Sequence, residues 1–399
     1  MSAPTEAVRR VLPASRRPSP GATPPPSDLR RRLVRSLRHA APALYGYVCV
    51  RLFCLLVLSL WAHRLGHGIW PLLADDWDSS WYLGIAANGY EEELGTAYDA
   101  NNLAFFPLYP MAVRVLSWLL PGSAASAGLL LAVFSSLFAA WGIFAVGDRL
   151  HGRRVGLFLV LLWAALPVGL VQWMGYTESL FTAFAAWSLY ACLRGNWIWA
   201  GTLASMAGLT RPTGVALAAA VSLGAVLALR RDFSWRALAG ALLAPLGWLS
   251  YVGWVGARLG RWDGYFAVQK LWRNTIDGGV ETLRRLDDHL IEDSTPELFL
   301  ILVCVTLIAS TVLYVRCVLD RQPLVLLAFV GVLLAIVLGS GGVFFSRARF
   351  LLPGFPLLLP LAVALSRTSL RRAAAWVAGA VLMAGYFGGY MLLVWPSAP

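Results

Sequence analysis

Charged residues are scarce in this chain, and lysine is almost absent. Only 14% of its 399 residues are charged, whereas 58% are hydrophobic and the mean hydropathy is +0.65. This composition excludes an ordinary soluble globular domain and indicates a polytopic membrane protein. Lys270 is the single lysine among 33 basic residues, a bias that is typical of a GC-rich bacterial genome.

Cysteine is also rare, and none lies where it could crosslink an exposed loop. All five fall inside apolar runs or at their ends: Cys49, Cys54, Cys192, Cys304 and Cys317. These positions exclude a disulfide framework, and the spacing is not that of a metal site. His63 and His67 are four residues apart, but Gly66 and Gly68 interrupt a helix there. We therefore predict interfacial histidines and no metal site.

Apolar runs of about twenty residues recur along the chain and predict spanning helices. Eleven are present: 43–62, 124–147, 155–172, 178–194, 197–211, 213–230, 237–257, 297–315, 323–339, 350–366 and 373–396. The fifth and sixth meet at Thr210-Arg211-Pro212, where proline predicts either a tight turn or a broken helix, so ten to twelve spans fit the pattern. Residues 1–40 lack the apolar surface needed to fold and predict a disordered cytoplasmic tail, which precedes a transmembrane domain over 41–399.

The charges between these runs fall into two sets. Arginines just before the first run place the N-terminus in the cytoplasm, and 21 of the 33 basic residues then lie on cytoplasmic segments. Sixteen of the 21 acidic residues lie outside, mostly in the loops 63–123 and 258–297. Because the basic clusters serve to orient a multi-pass plasma-membrane protein, the net charge does not indicate nucleic-acid binding, which we reject. The two outer loops are the predicted working face.

The first outer loop contains a stretch that is too polar to span a membrane and too aromatic to be a spacer. Three carboxylates stand among three aromatic rings: Asp75, Asp76, Asp78, Trp77, Trp81 and Tyr82. An aromatic ring can stack on the apolar face of a sugar, and a carboxylate can accept a hydroxyl proton, so this mixture is typical of a sugar-processing site. Segments 105–120 and 262–273 are expected to form interfacial helices that roof a cavity.

Four short blocks occur in order over residues 77–214. They are WDSSWYLGIAANGY (77–90), NLAFFPLYP (102–110), YTESLF (176–181) and GLTRPTG (208–214). Together they resemble the PIG-V family, the membrane mannosyltransferases that add the second mannose to glycosylphosphatidylinositol, with their bacterial relatives; this family belongs to the GT-C class of glycosyltransferases. After residue 214 only SRARFLLPGFP (346–356) is similar, to bacterial members.

The resemblance implies an all-α, GT-C-like bundle of about eleven transmembrane helices whose outer loops carry the site. It also implies an inverting transfer of mannose from a polyprenyl-phosphate mannose donor, a catalytic aspartate in the first outer loop, and no metal or other cofactor. Because bacteria do not make the eukaryotic anchor, the acceptor is expected to be another glycan, glycolipid or glycoprotein. Membrane lipids complete the expected partners.

Transfer from a lipid phosphate needs a base for the acceptor hydroxyl and cations for the leaving phosphate. Asp78 matches the motif and is the predicted base. Asp76 is a second catalytic candidate, as a neighbouring charge that either tunes the field around Asp78 or is simply solvated. Arginine suits the phosphate because it stays charged and donates two parallel hydrogen bonds. The predicted substrate-binding residues are Trp77, Trp81, Tyr82, Glu178, Arg211, Lys270, Arg347 and Arg349.

Plainer interpretations remain open for several of these residues. The arginines could snorkel to the membrane surface, and Glu178 could be a charge favoured at a helix N-terminus. Arg51 lies inside the first span, where it is either functional or a snorkelling residue. The alternative function is a transporter or flippase of lipid-linked sugars, which predicts polar residues deep in several spans. A non-catalytic scaffold would explain the bundle but not the four blocks.

Overall fold

The computed structural model describes residues 26–95, 101–295 and 297–398. Across these ranges the chain forms helices and turns, without a named β-strand; Ile276 and Ser340 make one isolated antiparallel bridge. The predicted all-α class is confirmed.

The α-helices follow one another through the bundle, with bounds that largely match the apolar runs. In chain order they are α1 (Pro26–Leu65), α2 (Ile69–Ala74), α3 (Asp78–Asn88), α4 (Leu108–Leu119), α5 (Ala124–His151), α6 (Arg153–Ala164), α7 (Glu178–Leu193), α8 (Trp197–Gly208), α9 (Gly214–Arg231), α10 (Trp235–Arg258), α11 (Gly264–Leu271), α12 (Val280–Asp287), α13 (Leu298–Leu319), α14 (Leu324–Gly339), α15 (Arg347–Phe350), α16 (Leu359–Arg367) and α17 (Leu370–Leu393). Among the described residues, six of these are long and apolar enough to cross a membrane: α1, α5, α9, α10, α13 and α17.

Each of the eleven predicted spans contains a helix, but prolines break two of them. The span predicted over 155–172 ends as an α-helix at Ala164 and resumes as a 3₁₀ turn at Gly169–Trp173. The span predicted over 350–366 is divided into α15, a 3₁₀ turn at Phe355–Leu358, and α16. Pro167 lies in the first break and Pro353 in the second, and neither can continue a helical hydrogen-bond ladder.

The first helix starts earlier than the sequence suggested. α1 begins at Pro26, so the tail boundary predicted at residue 40 lies inside a helix, while residues 1–25 lie outside the described residues. Proline is favoured in the first helical turn, and the arginines and leucines that follow are good helix formers. The apolar span therefore extends its helix backwards through the arginine-rich segment.

One end of the bundle collects segments that were predicted to be cytoplasmic. His39 Nε2 lies 3.1 Å from Asp148 Oδ2, which joins the start of α1 to the end of α5. At the same end Arg154 Nη2 donates to the Thr368 carbonyl oxygen at 2.8 Å. These segments, which are distant in sequence, therefore lie together at one end of the bundle.

The two predicted outer loops meet at the other end of α1 and are folded against each other. Arg258 Nη2 donates to the Tyr90 carbonyl oxygen at 2.9 Å, and Trp272 Nε1 donates to that of Asn101 at 3.0 Å. Small apolar clusters fill the space between them, one of which joins Phe106 to α10 and α11 through Tyr251. Both segments predicted as interfacial helices are helical, as α4 and α11.

Candidate functional site

Four charged side chains from distant parts of the chain converge where the two predicted outer loops meet the bundle. Arg349 Nη1 lies 2.7 Å from Asp78 Oδ2 and 3.8 Å from Glu178 Oε1. Arg211 Nη1 lies 2.7 Å from the same Glu178 oxygen and donates to Thr177 Oγ1 at 2.8 Å. Glu178 and Arg349 are buried, and Asp78 retains 21% of its side-chain exposure. The group is a linked chain of two carboxylates and two guanidinium groups.

Both carboxylates occupy the first turn of a helix, Asp78 in α3 and Glu178 in α7. A negative charge is stabilised there by the unpaired backbone N–H groups and the positive end of the helix dipole. Gly175 brings the two helix starts together: its N–H donates to the Leu73 carbonyl at 2.7 Å, and its carbonyl accepts from Ser79 Oγ at 3.2 Å. A Cβ at Gly175 would lie 2.9 Å from Ser79 Oγ and 3.1 Å from the Ala74 carbonyl oxygen, so a side chain there would displace the serine hydroxyl and crowd the backbone.

Arg211 is presented by the tight turn between α8 and α9, which resolves the alternative left open at Pro212. Proline ends the first helical ladder, and the two glycines of the GLTRPTG block allow the helices to approach closely. A Cβ at Gly214 would lie 2.6 Å from the Gly208 Cα. The block is therefore a hairpin that holds its arginine at the site.

Aromatic rings support the two guanidinium groups. The Arg349 Cζ lies 5.0 Å from the centroid of the Tyr176 ring, and Phe350 contacts both arginines, with ring centroids 5.3 Å from Arg349 and 5.4 Å from Arg211. Cation–π contacts at this distance stabilise a charge whose hydration has been removed. Burial lowers the pKa of Arg349, but the Asp78 and Glu178 carboxylates raise it by more, so the net shift is upward and Arg349 is cationic.

The network retains unused hydrogen-bonding capacity. Within the described residues, Nε and Nη1 of Arg349 and both carboxylate oxygens of Glu178 are buried without a partner in hydrogen-bond geometry, although their ion pairs are close. Unsatisfied polar atoms in a buried site are costly, and an oxygen-rich ligand could satisfy the arginine donors. The site is therefore suited to a phosphate group.

A cavity of about 650 Å³ opens beside this network, between the first outer loop, the second outer loop and α15. Asp78, Arg211 and Arg349 line it, and Phe105 and Trp272 contribute aromatic surface. This volume is within the range of small-ligand pockets. A reacting centre held in the cavity would be in reach of the carboxylate and the arginines together.

The three predicted aromatic residues take different positions. Tyr82 lines the cavity, and its hydroxyl lies 3.2 Å from Thr177 Oγ1, which also contacts Arg211. Trp81 stacks on Phe105, with ring centroids 5.5 Å apart, and so supports the aromatic wall from outside the cavity lining. Trp77 packs against the main core instead, and its backbone has the left-handed φ of 52° immediately before α3.

Other predicted residues lie away from the four-residue network. Arg347 is buried, donates to Thr282 Oγ1 and to the Ser340 carbonyl, and so ties α12 to the segment before α15. Lys270 is exposed on α11, outside the cavity lining. Asp76 is half-buried, and burial and the charge of Asp75 raise its pKa.

Sequence reasoning missed several residues that the structure adds. Tyr176 and Thr177 were inside a quoted block but were not singled out, although they contact Arg349 and Arg211. The cavity lining also includes polar residues of the second outer loop: Gln269, Asn274, Asp277, Glu281 and Arg285. Among the described residues, no cluster of three or more histidines, cysteines or carboxylates has the arrangement of a metal site.

No protein-family model and no curated protein matches the chain. Two solved structures of ArnT from Cupriavidus metallidurans are similar to it, each with a TM-score of 0.53. The one bound to undecaprenyl phosphate is 16% identical and the apo one 17% identical, and they cover 82% and 84% of this chain. The apo oligosaccharyltransferase of Archaeoglobus fulgidus has a TM-score of 0.47 and 11% identity over 89% of this chain and 58% of its own length.

The chain spans 62% of the length of the ArnT structures that it matches. A likeness at this level of identity concerns the fold, since one fold can support unrelated functions. The fold is of the GT-C type, as the sequence predicted.

Proposed function

We propose that the protein is an integral-membrane, inverting glycosyltransferase that transfers mannose from polyprenyl-phosphate mannose to an acceptor at the outer face of the membrane. The observation that carries the proposal is the ion-pair network of Asp78, Glu178, Arg211 and Arg349, in which all members except Glu178 line an aromatic-walled cavity. These residues come from the sequence blocks that resemble PIG-V mannosyltransferases and their bacterial members. The GT-C fold and the ArnT structure with undecaprenyl phosphate support the donor class.

In this mechanism Asp78 is the general base. It is the carboxylate of the network with the greater exposure to the cavity, so an acceptor hydroxyl can reach it. The hydroxyl oxygen attacks the anomeric carbon while its proton passes to Asp78, and the bond from that carbon to the phosphate oxygen breaks on the opposite face. The sugar is thereby transferred with inversion, and the polyprenyl phosphate leaves with the electron pair.

Arg349 and Arg211 are the proposed phosphate ligands. Arg349 contacts Asp78 at 2.7 Å in the structure. A donor phosphate would replace the Asp78 carboxylate as the partner of this guanidinium group, and the released carboxylate would then be free to contact the acceptor. Arginine suits this exchange because its fork can donate two parallel hydrogen bonds to a phosphate as it can to a carboxylate. The two cations would then stabilise charge on the leaving phosphate.

The reaction can be tested with the purified full-length protein and labelled polyprenyl-phosphate mannose as the donor. Lipid extracts and envelope extracts freed of peptidoglycan would supply the acceptors. We expect label to pass from the donor to a lipid, glycan or protein product, with loss of transfer in Asp78→Asn. Movement of intact donor across a vesicle membrane without product would favour the flippase instead. Transfer from another polyprenyl-phosphate sugar but not from the mannose donor would overturn the sugar assignment alone.

The proposed orientation has a separate test in intact cells. Ile276 is exposed in the second outer loop, and Arg153 is exposed at the opposite end. In a cysteine-free background, we expect Ile276→Cys to react with a membrane-impermeant maleimide and Arg153→Cys to be protected until the cells are permeabilised. The reverse labelling pattern would place the cavity on the cytoplasmic side.

A further inference from the structure

Arg51 lies in the middle of α1 and is fully buried among the helices of the bundle. Its Nη2 donates to the Ala164 carbonyl and lies 3.7 Å from Cys54 Sγ. In the described part of the chain it pairs with no carboxylate, and its Nε and Nη1 have no hydrogen-bond partner. Because the side chain is fully buried, it does not snorkel to the membrane surface. A charge without a carboxylate partner inside an apolar bundle is costly, so the residue needs another explanation.

Arg51 meets the bundle at the point where α6 ends. Ala164 is the last residue of α6, and the carbonyls of a final helical turn lack partners within the helix. The guanidinium satisfies one of them and is stabilised by the negative end of the helix dipole. Packing is close, since a Cβ at Gly169 would lie 3.0 Å from Arg51 Nη2. The end of α6 thus takes the place of a carboxylate.

The end of α6 is linked through Gln172 to the segment that carries Glu178. Gln172 Nε2 donates to the Trp163 carbonyl at 2.9 Å, and the Gln172 carbonyl accepts from Ser179 Oγ at 2.7 Å. Ser179 follows Glu178 in the first turn of α7. A shift of the end of α6 would therefore move the glutamate.

The same end of α6 is linked to the segment that carries Arg349. Trp163 Nε1 donates to the Leu352 carbonyl at 2.9 Å, and the Leu352 N–H donates to the Arg349 carbonyl at 3.0 Å. Tyr47, one turn before Arg51 on α1, stacks on Trp163 with ring centroids 5.5 Å apart. Two residues of α1 therefore contact the end of α6: Tyr47 packs on the Trp163 ring, and Arg51 binds the Ala164 carbonyl.

We propose that Arg51 is a positioning residue that holds the end of α6 and thereby fixes Glu178 and Arg349 relative to each other. Its effect on turnover rests on the proposed function, but its effect on the local order of the two segments does not. Residues that hold a site in place act through exact geometry, and small displacements of the supported groups reduce rate strongly. Arg51 is thus tied to the site although it touches neither the cavity nor the four-residue network.

The test is hydrogen–deuterium exchange of the purified full-length protein. Arg51→Met keeps the length and apolar stem of the side chain but removes the donors. We expect exchange about tenfold faster in peptides covering 169–180 and 346–354, and changes below about twofold in 214–258. Arg51→Lys retains a charge and one donor for the carbonyl, so it should restore most of the protection. Cys54→Ala removes the other polar neighbour of Arg51 but leaves the contact with the Ala164 carbonyl, so it should leave both segments unchanged.

Each result decides the inference. Unchanged exchange in Arg51→Met would show that Arg51 does not position these segments. Equal acceleration throughout the described chain would show that it stabilises the whole fold and not the site in particular. Failure of Arg51→Lys to restore protection would reject the carbonyl contact as the cause. If Arg51→Met shows the local acceleration while the wild-type protein transfers no sugar, this inference stands and the proposed function fails.

Discussion

Two groups in this protein have the same composition, one glutamate between two arginines, but opposite surroundings. In the first, Glu178 is 1% exposed and lies between Arg211 and Arg349, which are 9% and 4% exposed. Its members come from α7, the α8–α9 turn and α15, which are far apart in sequence. The fold has to bring them together and remove their water.

In the second group, Glu281 contacts Arg284 and Arg285 at 2.5 and 2.8 Å within the single helix α12. The two arginine side chains are 65% and 41% exposed and that of Glu281 is 18% exposed, so solvent reaches the interaction through the arginines and screens it. Such pairs contribute about 0.3–0.5 kcal/mol each, whereas breaking a buried pair costs about 3–5 kcal/mol. The same ion-pair chemistry thus contributes little to stability in α12, whereas at the site the fold depends on it.

The largest effect is expected when the buried group loses its shared carboxylate. Glu178→Gln keeps the shape of the side chain but leaves Arg211 without its only close carboxylate among the described residues. We expect a loss of about 3–5 kcal/mol in the free energy of unfolding, measured by denaturation in detergent. A loss below about 1 kcal/mol would show that the buried group is screened like the one on α12.

The sequence predicted the members of this group but not their arrangement. Asp78, Glu178 and Arg211 belong to the sequence blocks that resemble a known family, and the charge pattern predicted that their loops lie on the same side of the membrane. The direct pairing of Arg349 with Asp78 was not predicted, because it depends on how α15 breaks away from the following helix at Pro353.

The neighbouring pair Arg347 and Arg349 shows the limit more sharply. Both were predicted to bind substrate, because the sequence Arg347-Ala348-Arg349 does not show which arginine faces the site. In the short helix α15 their side chains point to different partners, Thr282 and Asp78. The face of this one-turn helix that meets the cavity is set by tertiary packing, and residue types alone do not predict it.

The next effect concerns Asp78, which belongs to the buried network yet faces the cavity. Asp78→Asn retains the shape and can still bind a hydroxyl, but an amide does not accept its proton. We expect turnover to fall by about 100-fold or more, equivalent to about 2.7 kcal/mol in the barrier. The fold should be retained, at some cost in stability, because Arg349 keeps its ion pair with Glu178. Initial rates with labelled donor would measure it.

Asp75→Asn and Asp76→Asn are the matched controls in the same loop. Asp75 is exposed and Asp76 is half-buried, and neither lines the cavity. Both variants should retain most of the activity. An inactive Asp76→Asn beside an active Asp78→Asn would transfer the role of base to Asp76.

A smaller effect is expected for the two arginines of α15, which separate a site residue from a structural one. Arg349→Lys keeps a charge but loses the planar fork, so we expect donor affinity to fall about tenfold, or about 1.4 kcal/mol. Arg347→Lys should leave donor affinity nearly unchanged because its contacts are to Thr282 and Ser340. Equilibrium binding of polyprenyl phosphate would measure both, and equal losses would remove the distinction.

The smallest effect is expected at Glu281, the surface counterpart of Glu178. Hydrogen bonding to Arg285 lowers the pKa of Glu281, so its contribution to stability is present above the ordinary glutamate pKa and is lost as the pH falls through the lowered value. At pH 7 the full contribution is present, but screening limits it, and Glu281→Gln, which breaks both pairs, should cost about 1 kcal/mol or less, decreasing further in 1 M salt. Denaturation at pH 7 and at pH 3 would measure the difference between wild type and variant, which should be smaller at the lower pH. A salt-independent loss as large as that of Glu178→Gln would mean that burial is not what distinguishes the two groups, and that α12 is as tightly bound into the site as α7.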